Sequence, residues 1–174
     1  GFAPVRTADH DRLIELMEGV EDIPGAALHE GLKWQWESFG QYLDYLDARP
    51  RDIDIAAQLP HGALRVYVMG ERATRLEPAN AQDIAQMREL TREAVRAGAL
   101  GFSTSRSMNH RSIKGEPTPS LKATEDELTA MREAVEAPSR QRRLFNDGSR
   151  SRGRRAIALQ LQMTVAIRRL QTAG

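Results

Sequence analysis

Apolar positions recur along the first 137 residues at two alternating periods. Leu13, Leu16 and Met17 form a stripe at helical spacing, with Thr7 and Asp9 as caps before it and Gly19 as the expected stop. Phe39, Tyr42, Leu43 and Leu46 fall at i, i+3, i+4 and i+7 behind a Ser38 cap, with Pro50 beyond the end. The run from Asp52 to Leu59 is β-branched at its start and bounded by prolines, which predicts a strand over about Ile53–Leu59 with His61 and Gly62 at its C-terminal end. Asn80 followed by Asp83 marks another helix start, and Ile84, Met87, Leu90 and Val95 supply its buried side up to Gly98. A second strand is expected over Ala99–Thr104, then a long loop from Ser105 to Ser120. Thr124 and Glu127 stand at capping-box spacing before Leu128, Met131 and Val135, the stripe of a helix reaching about Glu136.

Strands that run into polar loops and are each followed by a helix describe a parallel α/β architecture whose working face lies at the strand C-termini. That order places His61, Gly62, Ser103, Ser105, Arg106, Asn109, His110 and Arg111 on one rim. The pattern stops at residue 137. Pro138 to Arg155 carries arginine among Ser, Gly and Gln without an apolar period and reads as an irregular, solvated or disordered stretch. Ile157, Leu159, Leu161, Met163, Val165 and Ile167 then alternate as a strand does, although their neighbours favour a helix equally.

At 174 residues and 40% hydrophobic composition the chain is long enough for one core. It falls short of a complete barrel enzyme, which takes about 250 residues. With no cysteine, disulfides, thiolate metal sites and a cysteine nucleophile are excluded. No apolar run approaches the roughly 18 residues that span a bilayer, and Gly1 opens the chain without a basic-then-apolar leader, so a soluble, cytoplasmic protein is expected. The net charge of +1 hides an asymmetry. Residues 138–174 hold nine Arg and one Asp, a local +8, which leaves −7 for residues 1–137. Such a tail is either an arm for nucleic acid or the product of a shifted or truncated reading frame, since G+C-rich codons out of frame give Arg, Ser, Ala, Gly and Gln.

The candidate chemistry is polar and sparse. His61 either lines a substrate pocket at a strand end or fixes the turn through backbone hydrogen bonds. His110, between Asn109 and Arg111, either faces substrate or is solvated. Ser103 is either a pocket hydroxyl or a partner for nearby backbone groups, as its surroundings are not Gly-x-Ser-x-Gly. Arg106 either clamps a carboxylate with its planar fork or sits at the rim in water. His10 and His29 read as surface positions. Trp34 and Trp36 cannot share a helix face, so one is expected in the core and the other beside a pocket. Four histidines with no His-x-His and no His-Glu-x-x-His do not make a metal site.

Several stretches carry a family likeness: Gly1–Arg6 with Asp9 and His10, Leu13–Pro24 (LIELMEGVEDIP), the Trp34–Leu46 segment ending YLDYL, Pro60–Gly70 (PHGALRVYVMG) and Ala97–Arg106 (AGALGFSTSR). Together they resemble N-acyl-D-amino-acid deacylases, the D-aminoacylase branch of the metal-dependent amidohydrolase superfamily, over residues 1–137. The resemblance implies part of a (β/α)₈ TIM barrel, with residues 138–174 a separate irregular basic tail. It implies a zinc-dependent hydrolase in which the metal activates water against the amide of a small N-acyl amino acid. The family's ligands are a His-x-His pair, a Cys in an Asn-Cys-Gly turn, two later histidines and an Asp base, and none maps onto a residue here. The chain is therefore expected to bind no zinc, to be inactive alone as a fragment and to self-associate through the unpaired edges of an incomplete sheet. The alternative is a noncatalytic α/β module that binds nucleic acid through its tail.

Overall fold

The computed structural model describes residues 1–142 apart from Arg51 and Asp54, and over residues 138–142 the helical backbone only. Its elements are α1 (His10–Glu21), α2 (Gly25–Gly31), α3 (Phe39–Asp47), β1 (Leu59–Pro60), α4 (His61–Met69), α5 (Glu71–Thr74), α6 (Ala81–Ala97), β2 (Phe102–Ser103) and α7 (Glu125–Arg142). The readings made for residues 143–174, including the Ile157–Ile167 alternation and the nucleic-acid arm, lie outside the described residues.

Two helix starts form as their sequences dictate. Ser38 Oγ accepts from Gln41 N at 3.2 Å while the Gln41 side chain accepts from Ser38 N at 3.0 Å. Asn80 and Asp83 make the same reciprocal pair, both bonds at 2.9 Å. Each box satisfies two N–H groups that a helix start leaves open.

β1 and β2 run parallel, Leu59 opposite Phe102 and Pro60 opposite Ser103, joined through α4, α5 and α6. Leu100 N also donates to Ala57 O at 2.8 Å and Leu59 N to Gly101 O at 2.9 Å. A parallel pair needs such a crossover, so the expected α/β connection is present between short strands in a largely helical molecule. The strand expected from Ile53 is shorter than its pattern. Ile53 and Ile55 are 69% and 51% exposed, whereas Leu59 is fully buried. Alternation without a covered face does not make a strand, and only the end with a partner pairs.

Three other expectations change. α1 passes through Gly19 and ends at Asp22, whose φ of 57° is left-handed. α2 and α4 arise where no helix was anticipated, and α7 continues past Glu136 to Arg142. Pro24 and Pro60, the residues before α2 and α4, make no side-chain cap bond. α4 buries His61, Ala63, Leu64, Arg65, Val66 and Met69, too much of its surface to show a one-sided stripe.

The core gathers Leu13, Leu59, Leu64, Met87 and Met131, all fully buried, between the strand pair and the helices. α6 and α7 pack along each other, and Thr91 Oγ1 between them lies 2.8 Å from Met87 O and 3.1 Å from Met131 Sδ. Among the described residues no helix is long and apolar enough to cross a membrane.

Candidate functional site

The strand register sorts the rim residues onto two sides. Leu59 is buried against the helices, and Phe102 opposite it has its ring 4.9 Å from the His61 ring, so this pair faces the helical layer. Side chains alternate along a strand, which puts Pro60 and Ser103 on the opposite side.

His61 lies on the helical side. Its Nδ1 is 2.9 Å from Thr104 Oγ1 and its Nε2 is 2.7 Å from Glu127 Oε1. Arg65, one helical turn after His61, donates Nη1 to both Glu127 oxygens, at 2.6 Å to Oε1, and Nη2 to Glu77 O at 2.7 Å. The His61, Arg65 and Glu127 side chains are all fully buried. Burial alone would push the Glu127 carboxyl up, but hydrogen bonds and charge from His61 and Arg65 outweigh it and hold the group below its ordinary value. An ionised carboxylate only accepts, so His61 Nε2 donates to Glu127, and Nδ1 shares a hydrogen bond with the Thr104 hydroxyl. The hydroxyl–imidazole–carboxylate order matches that of an activated nucleophile. Its imidazole and carboxylate, however, are enclosed by helices and closed off by Arg65.

The Thr124–Glu127 reading is half realised. Glu127 N donates to Thr124 Oγ1 at 3.3 Å, but the Glu127 side chain turns inward to His61 and Arg65 instead of back to the helix start. Sequence reasoning missed Arg65 and Glu127 as functional partners. The available signal was the i, i+4 spacing of His61 and Arg65 within an apolar run, which demands a buried counter-charge.

The other candidates gather on the loop after β2. Ser105 Oγ is 2.8 Å from His110 Nδ1, and Ser105 O accepts from Ser120 Oγ at 2.7 Å. The expected long loop is thus tied: Arg111 bridges Pro117, Ser112 N donates to Glu116 O at 2.7 Å, and Arg111 Nη1 donates to Gly115 O at 2.8 Å. Ser103 and His110 are half-buried, while Arg106 is exposed and turned to Glu125 at 3.1 Å. Such an exposed pair holds weakly, about 0–1 kcal/mol, and leaves the guanidinium free to exchange partners.

Neither tryptophan lies in a helix. Trp36 is buried, donates Nε1 to Phe2 O at 2.8 Å and packs on Tyr42 and Tyr45. Trp34, with a left-handed φ of 47°, stacks on His10 with ring centroids 4.1 Å apart and planes 5° from parallel. A cavity of about 170 Å³ lined by Pro4, Phe39, Leu59, Tyr67, Leu90 and Ala94 includes none of the rim candidates. No group of three His, Asp or Glu side chains able to hold a metal ion occurs among the described residues. Both ring nitrogens of His61 are already engaged, as is Nδ1 of His110.

Against known proteins, the model of the amidohydrolase family matches residues 3–142. A D-aminoacylase of Alcaligenes xylosoxydans xylosoxydans is 39% identical over 77 residues, covering 44% of this chain and 15% of that protein. An uncharacterised protein of Mycobacterium tuberculosis is 32% identical over 101 residues, 55% of this chain and 16% of its own length. A Mycobacterium bovis protein matches over the same shares. The chain therefore spans a small part of the length of the curated relatives it matches. No solved structure matches it significantly.

Proposed function

Because this chain belongs to the amidohydrolase family, we propose that it is the part of an N-acyl-D-amino-acid deacylase that supplies two neighbouring strands of a (β/α)₈ barrel and the polar rim above them. The parallel pairing of β1 with β2 carries this reading, since both strands run at their C-terminal ends into the residues with candidate chemistry. Active sites of such barrels sit at that end. At and beyond the C-terminal end of β2, Ser103, the Ser105–His110 pair and the exchangeable Arg106 offer hydroxyl, imidazole and guanidinium groups to an acyl amino acid, and a guanidinium suits its carboxylate.

The described residues do not fit a zinc ion. Their histidines are dispersed, and the two on the rim already have hydroxyl or carboxylate partners. In this reading the segment holds substrate and leaves activation of water to residues elsewhere in the enzyme. The barrel part runs through α7 to Arg142, past the boundary expected at 137. Ile53, Ile55, Met108 and Ile113, exposed here, and the outer edges of the strand pair are surfaces that the rest of a barrel covers. The chain by itself accordingly self-associates.

The test is a graft. Residues 3–142 replace the corresponding segment of a D-aminoacylase, and the folded chimera is assayed on N-acetyl-D-methionine with zinc. Release of free amine, lost on changing Arg106 to Ala, supports the assignment. A folded chimera that binds zinc and leaves the substrate intact overturns it.

A further inference from the structure

We propose that His61 is a positioning residue that sets, through Thr104, the direction of the strand end carrying Ser103, Ser105 and His110. This rests on the reading of that end as the substrate rim. The observation is a continuous chain of polar groups crossing four parts of the fold: Glu77 O after α5, Arg65 and His61 on α4, Glu127 on α7, and Thr104 after β2. Its inner members are fully buried, while Thr104 at its end is half-buried.

Stability does not explain such a chain. Buried ion pairs are often replaceable by apolar side chains of similar volume at no loss, because desolvation offsets their attraction. A hydrogen bond adds direction, which apolar contact lacks. Glu127 fixes the His61 ring by accepting from Nε2, Arg65 fixes Glu127 by donating to both its oxygens, and the ring then holds Nδ1 against one hydroxyl. Thr104 is thereby held on the helical side with Phe102. Alternation along β2 puts Ser103 on the opposite face, and just beyond it the Ser105 hydroxyl meets His110. Rotation of the chain at Thr104 would exchange these faces.

The experiment uses the full 174-residue chain and two variants. Thr104→Val keeps the shape and removes the hydroxyl, whereas Thr104→Ser keeps the hydroxyl. Amide hydrogen exchange is followed at Ser105–Arg111, with Met87 and Thr91 in α6 as internal references. Thr104→Val is expected to speed exchange at the loop amides about tenfold, the order for loss of one net hydrogen bond, without altering the references. Thr104→Ser is expected to restore wild-type rates. In wild-type protein, ¹⁵N spectra of the His61 ring are expected to show Nε2 protonated. Unchanged loop exchange in Thr104→Val, failure of Thr104→Ser to restore it, or a ring unprotonated at Nε2 overturns the proposal. Should Thr104→Val not fold, the ring protonation and the Thr104→Ser rates still decide it. None of these readouts involves turnover. An inactive graft with the expected exchange pattern therefore refutes the substrate reading alone, and an active graft with unmoved exchange refutes the positioning role alone.

Discussion

Glu127 Oε1 lies 2.7 Å from His61 Nε2 and ties the first turn of α7 to the first residue of α4. Because Arg65 shares the carboxylate, truncating Glu127 strands two buried donors at once. Glu127→Ala is expected to cost about 3–5 kcal/mol, as when one member of a buried pair is removed, read from the urea midpoint. The pH dependence follows from the lowered carboxyl. The folded group holds its charge below the ordinary value of 4.5, so its stabilisation is complete above that pH and is lost as pH falls from 4.5 through the folded value. The gap between wild type and Glu127→Gln is therefore expected to be wide at pH 7 and to narrow below pH 4.5. A pH-independent gap would contradict the ionised assignment.

Trp34 stacks on His10, and burial lowers the His10 value from 6.5, partly opposed by the charges of Asp11 and Asp9. Trp34→Ala is expected to move the value back up, measured by following the His10 ring signals with pH. The unfolded chain takes the proton more readily, so in wild type folding stability drops as pH falls through 6.5. A variant with an unmoved His10 titration would show that the stack does not shield the ring.

Gly19 and Gly31 predict opposite signs for the same substitution. A Cβ on Gly19 would overlap the backbone of Arg111, Ser112 and Ile113, a segment also pinned by Ile113 N to Glu15 O at 3.1 Å and Lys114 Nζ to Glu15 Oε1 at 2.7 Å. Gly31 has open space around it. In a helix Ala is favoured over Gly by about 1 kcal/mol. Gly31→Ala is thus expected to be neutral or stabilising and Gly19→Ala destabilising, compared by thermal melts. Equal shifts would contradict the close approach of the loop to α1.

The same glycine shows how far the sequence could be read. Gly19 after an apolar stripe has the local signature of a helix stop, yet its role is set by a segment more than ninety positions later, which periodicity does not register. The Ser38 and Asn80 caps were legible because every group in them is local. Glu127 offered the same local spacing and was claimed instead by His61 and Arg65. α4 escaped because a helix buried on most of its surface shows no polar face. At the rim, the order of strand and loop placed Ser103, Arg106 and His110 together in the chain. Only the contact between α4 and α7 set His61 apart, with its side chain buried against Glu127.

As proposed, this segment supplies the rim for an acyl amino acid without the groups that activate water. Hydrolysing an unactivated amide requires a strongly activated nucleophile, and the histidines here are dispersed or already bonded. The direct measurement is free amine released when the purified chain is incubated with N-acetyl-D-methionine, with zinc and without it. No release above buffer is expected in either case. Turnover that appears with zinc and disappears with a chelator would contradict it, and would make His61 and His110 metal ligands.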